Sequence, residues 1–301
     1  MSVPEGANVR LSRLFAGEMD VHLLELAAGQ RDLVAAWQLR QCGWTWAMVE
    51  QHACGQRWRR IHSGVYALSY SPLSREQLRM AATLTAPNTF LSQTSAGAHY
   101  GICRHRAPYE TVVRPGSRGR HRTTGLLVRY SKTLHGDVGT FDGIPVTSPE
   151  RTLIDLAAVT DPARALREAR RLKLTAPYSL ALRLQKHAAR RGTNRLKHLN
   201  DHYAGIPYSR CRSDAEAKAL EELHEAGVAP PAVNEKFAGE EADLTWAARM
   251  LIVEIDGPQF HQIGAEDARK QRIWERAGYT VRRIGSDDVY DRPGLLVALA
   301  S

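Results

Sequence analysis

The four cysteines (Cys42, Cys54, Cys103 and Cys211) contain no CxxC pair, so the chain offers neither a zinc ligand set nor a disulfide framework. Reduced thiols and a bacterial-style cytoplasmic protein are therefore expected. No apolar run approaches the ~20 residues that a membrane span needs. The start, MSVPEGANVRLSRLF, lacks the apolar core of a signal peptide. Internal repeats and low-complexity tracts are absent too. What is present is a globular composition, 43% hydrophobic and 24% charged, which argues against wholesale disorder. A chain of 301 residues is long enough for two or three domains.

The net charge of +9 is unevenly spread. Residues 1–212 carry 31 Lys/Arg against 15 Asp/Glu, whereas residues 213–301 carry 10 against 17. A basic body joined to an acidic C-terminal unit suits a protein whose first part meets a polyanion and whose last part holds cations.

Residues 1–20 read as a tail. HLLELAAGQ and LVAAWQLRQ read as short helices, Gly43 breaks the chain, and TWAMVEQHA predicts a third helix with Thr45 as N-cap. GQRWRRIHSGVYAL follows as two short strands about a Ser63-Gly64 turn. Helix, helix, turn, helix and basic hairpin form a winged helix-turn-helix pattern, expected over 21–70. Residues 74–205 read as a basic, mixed α/β middle domain, with strands in YETVVRP and GLLVRYSK. A helix begins at SPERTLIDLAAV, with Ser148 as cap and Pro149 at its first position. From 210 to 301 the order is helix, three strands, helix, strand. The fold class is multidomain α/β.

LIVEIDGPQFH, residues 251–261, carries the chemistry. Leu251, Ile252, Val253 and Ile255 read as a buried strand, yet Glu254 and Asp256 lie in it, two apart and so on one face. Like charges in a partly desolvated place repel unless a cation or donor holds them. Asp243 precedes them across a short turn, Glu216 lies on the preceding helix, and His261 follows a Gly257-Pro258 break. Such oxygens suit Mg²⁺ or Mn²⁺, with Asp243, Glu254 and Asp256 as candidate metal ligands. A cation could activate water and neutralise charge on a phosphate, with His261 as general base or acid. The plainer reading pairs Glu254 with Arg249, Arg282 or Arg283 and lets Asp256 cap the turn.

These residues carry a resemblance. Ser213-Asp-Ala-Glu216, Asn234, Glu241-Ala-Asp243-Leu244, Val253-Glu-Ile-Asp-Gly257, His261, Asp267 and Gly278-Tyr279-x-Val281 resemble an uncharacterised family related to very-short-patch-repair (Vsr) endonucleases. That family lies in the PD-(D/E)xK superfamily. The resemblance covers about ninety residues. It implies a restriction-endonuclease-like domain and a metal-dependent phosphodiesterase core. Asp243 would be the principal ligand, Glu254 close by, Glu216 a supporting acid, and His261 in the place of the repair enzymes' histidine. The superfamily's lysine, two residues after the strand acid, is Asp256 here, which leaves water activation to His261 or the metal.

Residues 21–205 resemble the AbiEi-type antitoxin family, through Gln38-Leu39, Gly43, Gly55-Gln-Arg-Trp58-Arg-Arg-Ile-His-Ser-Gly64-Val-Tyr66 and Gly143-Ile-Pro-Val-Thr147-Ser-Pro-Glu-Arg151-Thr-Leu-Ile-Asp155. This implies DNA binding and a cognate toxin or defence-system protein as partner. A helix in the major groove reads base edges while nearby arginines hold phosphates. Thr45 and Gln51 are the candidate readers, alongside Glu50 and His52, and Arg57, Arg59 and Arg60 the phosphate clamps. Trp44, Trp46 and Met48 read as core or interface, and the third helix has no Lys or Arg.

Two functions follow. The first is a DNA-binding protein with a Mg²⁺-dependent endonuclease domain, in phage defence or DNA repair. The second is a transcriptional regulator or antitoxin with a catalytically inactive nuclease-like domain.

Overall fold

The computed structural model describes residues 21–55, 58–257 and 265–301. It is mixed α/β, and the chain divides into two compact units, one through residue 156 and one over 157–301. Residues 157–205, expected in the middle domain, fall in the second unit.

The first described elements of the first unit are a helix over residues 21–29 (α1) and a three-residue strand, β1 (Leu33–Ala35). LVAAWQLRQ is thus not one helix: Leu33, Val34 and Ala35 pair antiparallel with the later strand β3 (Val65–Ala67), and α2 (Ala36–Gln41) starts after them. A fully buried three-residue apolar run looks alike in strand and helix, so local pattern could not separate them. α3 (Trp46–Cys54) follows, and β2 (Arg59–His62) completes a three-stranded sheet in the order β1-β3-β2. Gly64, at φ +72°, supplies the turn between β2 and β3. An aromatic pile forms the core. Trp58 lies 5.5 Å from Trp44, 4.8 Å from His52 and 5.8 Å from Tyr66 between ring centres.

The rest of this unit is a six-stranded sheet, ordered β6-β7-β5-β4-β9-β8. Its strands are β4 (Phe90–Leu91), β5 (Glu110–Pro115), β6 (His121–Thr123), β7 (Leu126–Ser131), β8 (Val138–Phe141) and β9 (Ile144–Thr147). Helices α4 (Arg75–Thr83) and α5 (Gln93–His99) precede β5, and α6 (Pro149–Ala157) follows β9. The SPERTLID segment has a physical reason for its composition. The Ser148 hydroxyl accepts the Arg151 N–H at 3.2 Å. The buried Arg151 guanidinium then meets Asp155 at 3.1 Å, Asp137 at 3.0 Å and the Thr133 carbonyl at 2.7 Å. A buried guanidinium needs such full satisfaction.

The second unit begins with α7 (Ala163–Arg171), α8 (Pro177–Lys186) and α9 (Thr193–His202). Sequence pattern does not announce α9, because TNRLKHLNDH carries few apolar residues. α10 (Asp214–Glu225) leads into a four-stranded sheet, β10 (Ala232–Phe237), β11 (Glu240–Trp246), β12 (Leu251–Asp256) and β13 (Thr280–Gly285), in that spatial order. β10, β11 and β12 form an antiparallel meander, and β13 pairs parallel to β12 after α11 (Ala265–Arg276). Two short helices, α12 (Ser286–Asp291) and α13 (Pro293–Ala300), close the chain.

One face of this sheet packs Val233, Leu244, Leu251, Val253 and Ile284 with apolar residues of α10, α12 and α13. On the other, Ala242 and Ile252 pack with Trp274 of α11. A charged network fastens α7 to α10. Arg167 donates to Asp214 at 2.8 Å and to Glu221 at 2.7 Å, the Tyr208 hydroxyl donates to Glu221 at 2.9 Å, and Tyr290 donates to Asp214 at 2.7 Å. Among the described residues no helix is long and apolar enough to cross a membrane.

Candidate functional site

β11 and β12 pair through Trp246–Leu251, Thr245–Ile252 and Leu244–Val253, and there the ladder stops. Continuing the register would set Asp243 opposite Glu254. Instead the Asp243 N–H donates to Glu254 Oε1 at 3.0 Å, and the Ile255 N–H donates to Asp243 Oδ2 at 2.8 Å. Backbone donors inside a protein must find acceptors, and here two carboxylates take the place of strand carbonyls. The expected adjacency of Asp243 and Glu254 is therefore present.

On the other side of β11, the pairs Val233–Leu244 and Glu235–Ala242 bracket Asn234 and Asp243, which form no backbone pair of their own. Asn234 has φ +50°, a conformation that Asn tolerates better than most residues. Its amide nitrogen donates to Glu216 Oε2 at 2.6 Å and to the Arg210 carbonyl at 2.9 Å. Its Oδ1 is buried, with no hydrogen-bond partner among the described residues. Glu216 itself completes the capping box of α10. It accepts the N–H groups of Arg212 at 2.9 Å and Ser213 at 3.1 Å, while Ser213 Oγ accepts the Glu216 N–H.

Burial, opposed by the Ile255 N–H and reinforced by Glu216 and Asp256, holds the Asp243 carboxyl above the ordinary range. Burial and the neighbouring Asp243 do the same for Glu254, against the pull of the Asp243 N–H and of Arg283. Asp256 fares differently. It shares a face with Glu254, but both its oxygens are taken by Arg283, at 2.9 and 2.5 Å. Of the three arginines considered for Glu254, Arg283 thus binds its neighbour, and Arg249 and Arg282 donate to carbonyls of the C-terminal helix. The pairing follows from the parallel register, which sets Glu254 beside Arg283 and Asp256 beside Gly285.

Glu216, Asp243, Glu254 and Asp256 therefore converge in distinct states: one caps a helix, one is bonded to arginine, and two accept backbone N–H groups with no cation bonded to either. Among the described residues no three or more His, Cys, Asp or Glu side chains are already arranged to hold a metal. The Asp243–Glu254 pair nevertheless fits Mg²⁺, which binds through one or two carboxylates and keeps several waters. The unpartnered Asn234 oxygen adds a further acceptor at the same strand break. His261 lies outside the described residues.

The candidate DNA-contacting residues lie in the first unit. Thr45 caps α3, accepting the Met48 N–H at 3.2 Å, and Gln51 is exposed on the same helix. Arg59 is spent locally, donating to the Ser71 carbonyl at 2.6 Å. Arg60 is exposed, lies over the Tyr66 ring and comes within 3.7 Å of Glu50. Arg57 lies outside the described residues. His52 is stacked on Trp58, with Nδ1 2.9 Å from the Met48 carbonyl, so one ring face and one ring nitrogen are already engaged. Of the residues expected in core or interface, Trp44 is buried and Trp46 is 56% exposed. The Arg40 guanidinium lies 5.9 Å from the Trp46 ring. It adds a cation beside a helix that has none, a placement readable only from how the Gly43 turn folds α2 back.

Comparison with known proteins finds two families over parts of the chain. The AbiEi antitoxin C-terminal domain family matches residues 88–202. The lipopolysaccharide kinase (Kdo/WaaP) family matches residues 157–292. No curated protein matches. Among solved structures, the catalytic domain of homing endonuclease I-Bth0305I is 19% identical, covering 28% of this chain and 88% of its own, with a TM-score of 0.24. The RV2827C protein from Mycobacterium tuberculosis is 16% identical, covering 73% of this chain and 83% of its own, with a TM-score of 0.40.

Proposed function

We propose that the protein binds DNA and that its second unit is a divalent-cation-dependent phosphodiesterase. The observation that carries this reading is the Asp243–Glu254 pair, two half-buried carboxylates that accept the N–H groups of Ile255 and Asp243 and bond to no cation, the nearby Arg283 being committed to Asp256. Asp243 and Glu254 would hold Mg²⁺ or Mn²⁺, which supplies Lewis acidity and an activated water when bound. Asp256, fixed by Arg283, shapes the field at the pair, and Glu216 positions Asn234 beside it. His261 would handle the proton. DNA would be held in the first unit by Arg57 and Arg60, with Thr45 and Gln51 towards the bases.

The test is incubation of plasmid and oligonucleotide DNA with the full chain and Mg²⁺ or Mn²⁺, beside Asp243→Asn and His261→Ala. Metal-dependent nicking that disappears in both variants supports the proposal. DNA binding without cleavage under either metal removes it.

A second reading, an antitoxin or transcriptional regulator with an inactive nuclease-like unit, is favoured by the antitoxin-family match over residues 88–202. An adjacent nucleotidyltransferase-like toxin gene, and repression of the protein's own promoter by Asp243→Asn as well as wild type, would support it.

A further inference from the structure

A second unbalanced charge lies in the first unit, with the opposite sign. From Gln77 to Gly136 the chain carries nine Lys/Arg and a single acid, Glu110. Glu110 begins β5, and Arg114 sits near that strand's other end. At this carboxyl end, where β7 runs parallel to β5, a recess of about 540 Å³ is lined by Asn88, Arg114, Gly116, Ser117, Arg118 and Tyr130, with two prolines. It contains no carboxylate. The carboxyl ends of parallel strands are favoured places for ligands, and the volume falls within the ~300–1,000 Å³ usual for small-molecule sites.

Arg114 is held in an uncommon way. Its Nε donates to Thr89 Oγ1 at 2.9 Å and its Nη2 to Thr85 Oγ1 at 2.8 Å. Both hydroxyl protons are already committed, Thr89 to the Ala86 carbonyl and Thr85 to the Ala82 carbonyl. The threonines therefore turn lone pairs to the guanidinium and fix its plane without neutralising it. Among the described residues neither Arg114 nor Arg118 is in an ion pair. Gly116, at φ +136°, brings the main chain against Tyr130, where a Cβ would stand 3.3 Å from the ring. The ring borders the recess beside the two cations.

We propose that this recess binds a 5′-phosphomonoester, the terminal phosphate of a nucleotide or of a nucleic-acid end. Arg114 and Arg118 supply two charges to a dianion, and a planar guanidinium held in one orientation matches phosphate oxygens. Asn88 and Ser117 add hydrogen-bonding groups at the rim, and Tyr130 offers a face to the attached sugar or base. A recess receives an end group, whereas a continuous backbone needs a groove open at both ends. This site is independent of the carboxylate pair in the second unit.

Calorimetric titration of the full chain in EDTA tests the proposal, using adenosine 5′-monophosphate, adenosine, and one oligonucleotide with and without a 5′-phosphate. The monophosphate should bind at least roughly tenfold tighter than adenosine, and Arg114→Gln and Arg118→Gln should each weaken it by a similar factor. Preference for the phosphorylated oligonucleotide over the monophosphate identifies a nucleic-acid end as the source, and the reverse preference a free nucleotide. Equal binding of monophosphate and adenosine overturns the assignment. So does unchanged affinity in Arg118→Gln, an exposed position whose replacement does not disturb the fold.

Discussion

Two groups of acids in the second unit meet opposite treatment. Asp214 and Glu221, on α10, are threaded onto Arg167 of α7 and capped by the hydroxyls of Tyr290 and Tyr208. Asp243 and Glu254, on neighbouring strands, receive only backbone N–H groups and each other. Burial alone would raise Asp214, but the bonds from Arg167 and Tyr290 reverse this and hold it at about 2. The strand pair is raised instead. The same residue type is thus a fastener where a guanidinium meets it and an unspent charge where none does, and only the latter is available to a ligand.

The sharpest way to break this contrast is Arg167→Ala, whose side chain is 6% exposed. Removing this guanidinium would leave Asp214 with only the exposed Arg164 and Glu221 with only Lys218 as cations, and should cost roughly 3–5 kcal/mol, seen in urea denaturation at neutral pH. Asp243→Asn should behave in the opposite manner, matching or exceeding wild-type stability in EDTA at pH 8 because one repelling charge is gone. In Mg²⁺ at a hundred times its Kd, wild type should gain about 2.7 kcal/mol, and Asp243→Asn should gain nothing. An equal gain in both would detach the metal from Asp243.

Asp214 and the strand acids should also separate on a pH axis, whereas Glu221, which burial raises despite Arg167, should not. The depressed Asp214 contributes stability that is present above its unfolded value, near ~3.9, and is lost as pH falls towards about 2. The raised strand acids contribute in the other sense. Their share is complete below their unfolded values near ~4 and is lost as pH rises through the folded ones, about 6 for Asp243 and about 7 for Glu254. Thermal midpoints in EDTA from pH 3 to 8 should show the second decline in wild type, much reduced in Asp243→Asn. The smallest effect is expected at the wing. Replacing Arg57, Arg59 and Arg60 with Ala should weaken DNA binding and lower the salt slope by about 0.9 for each phosphate no longer neutralised. An unchanged slope would exclude the hairpin.

How much of this was legible follows from which interactions are local. Asp243 and Glu254 are joined by one short turn, so their meeting could be read from the strand pattern. The Ser213–Glu216 box and the Ser148 cap are equally local. Asp256 looked like a third ligand because its partner, Arg283, lies 27 residues on, across a parallel crossover whose register no local pattern encodes. Asn234 is identifiable by name but not by its left-handed backbone, which tertiary contacts impose. Arg59 and Arg60 read as free clamps, although a loop carbonyl and the Tyr66 ring already occupy much of their reach.

The early end of the β11–β12 ladder has a consequence for how such a chain can change over descent. Asp243 and Glu254 each close a backbone bond that the strands leave open, so folding demands an acceptor oxygen at both positions, which an amide supplies as well as a carboxylate. A lineage with no use for the charge would be free to drift to Asn and Gln there, so the survival of both acids in a homologue would point to a charge still in use.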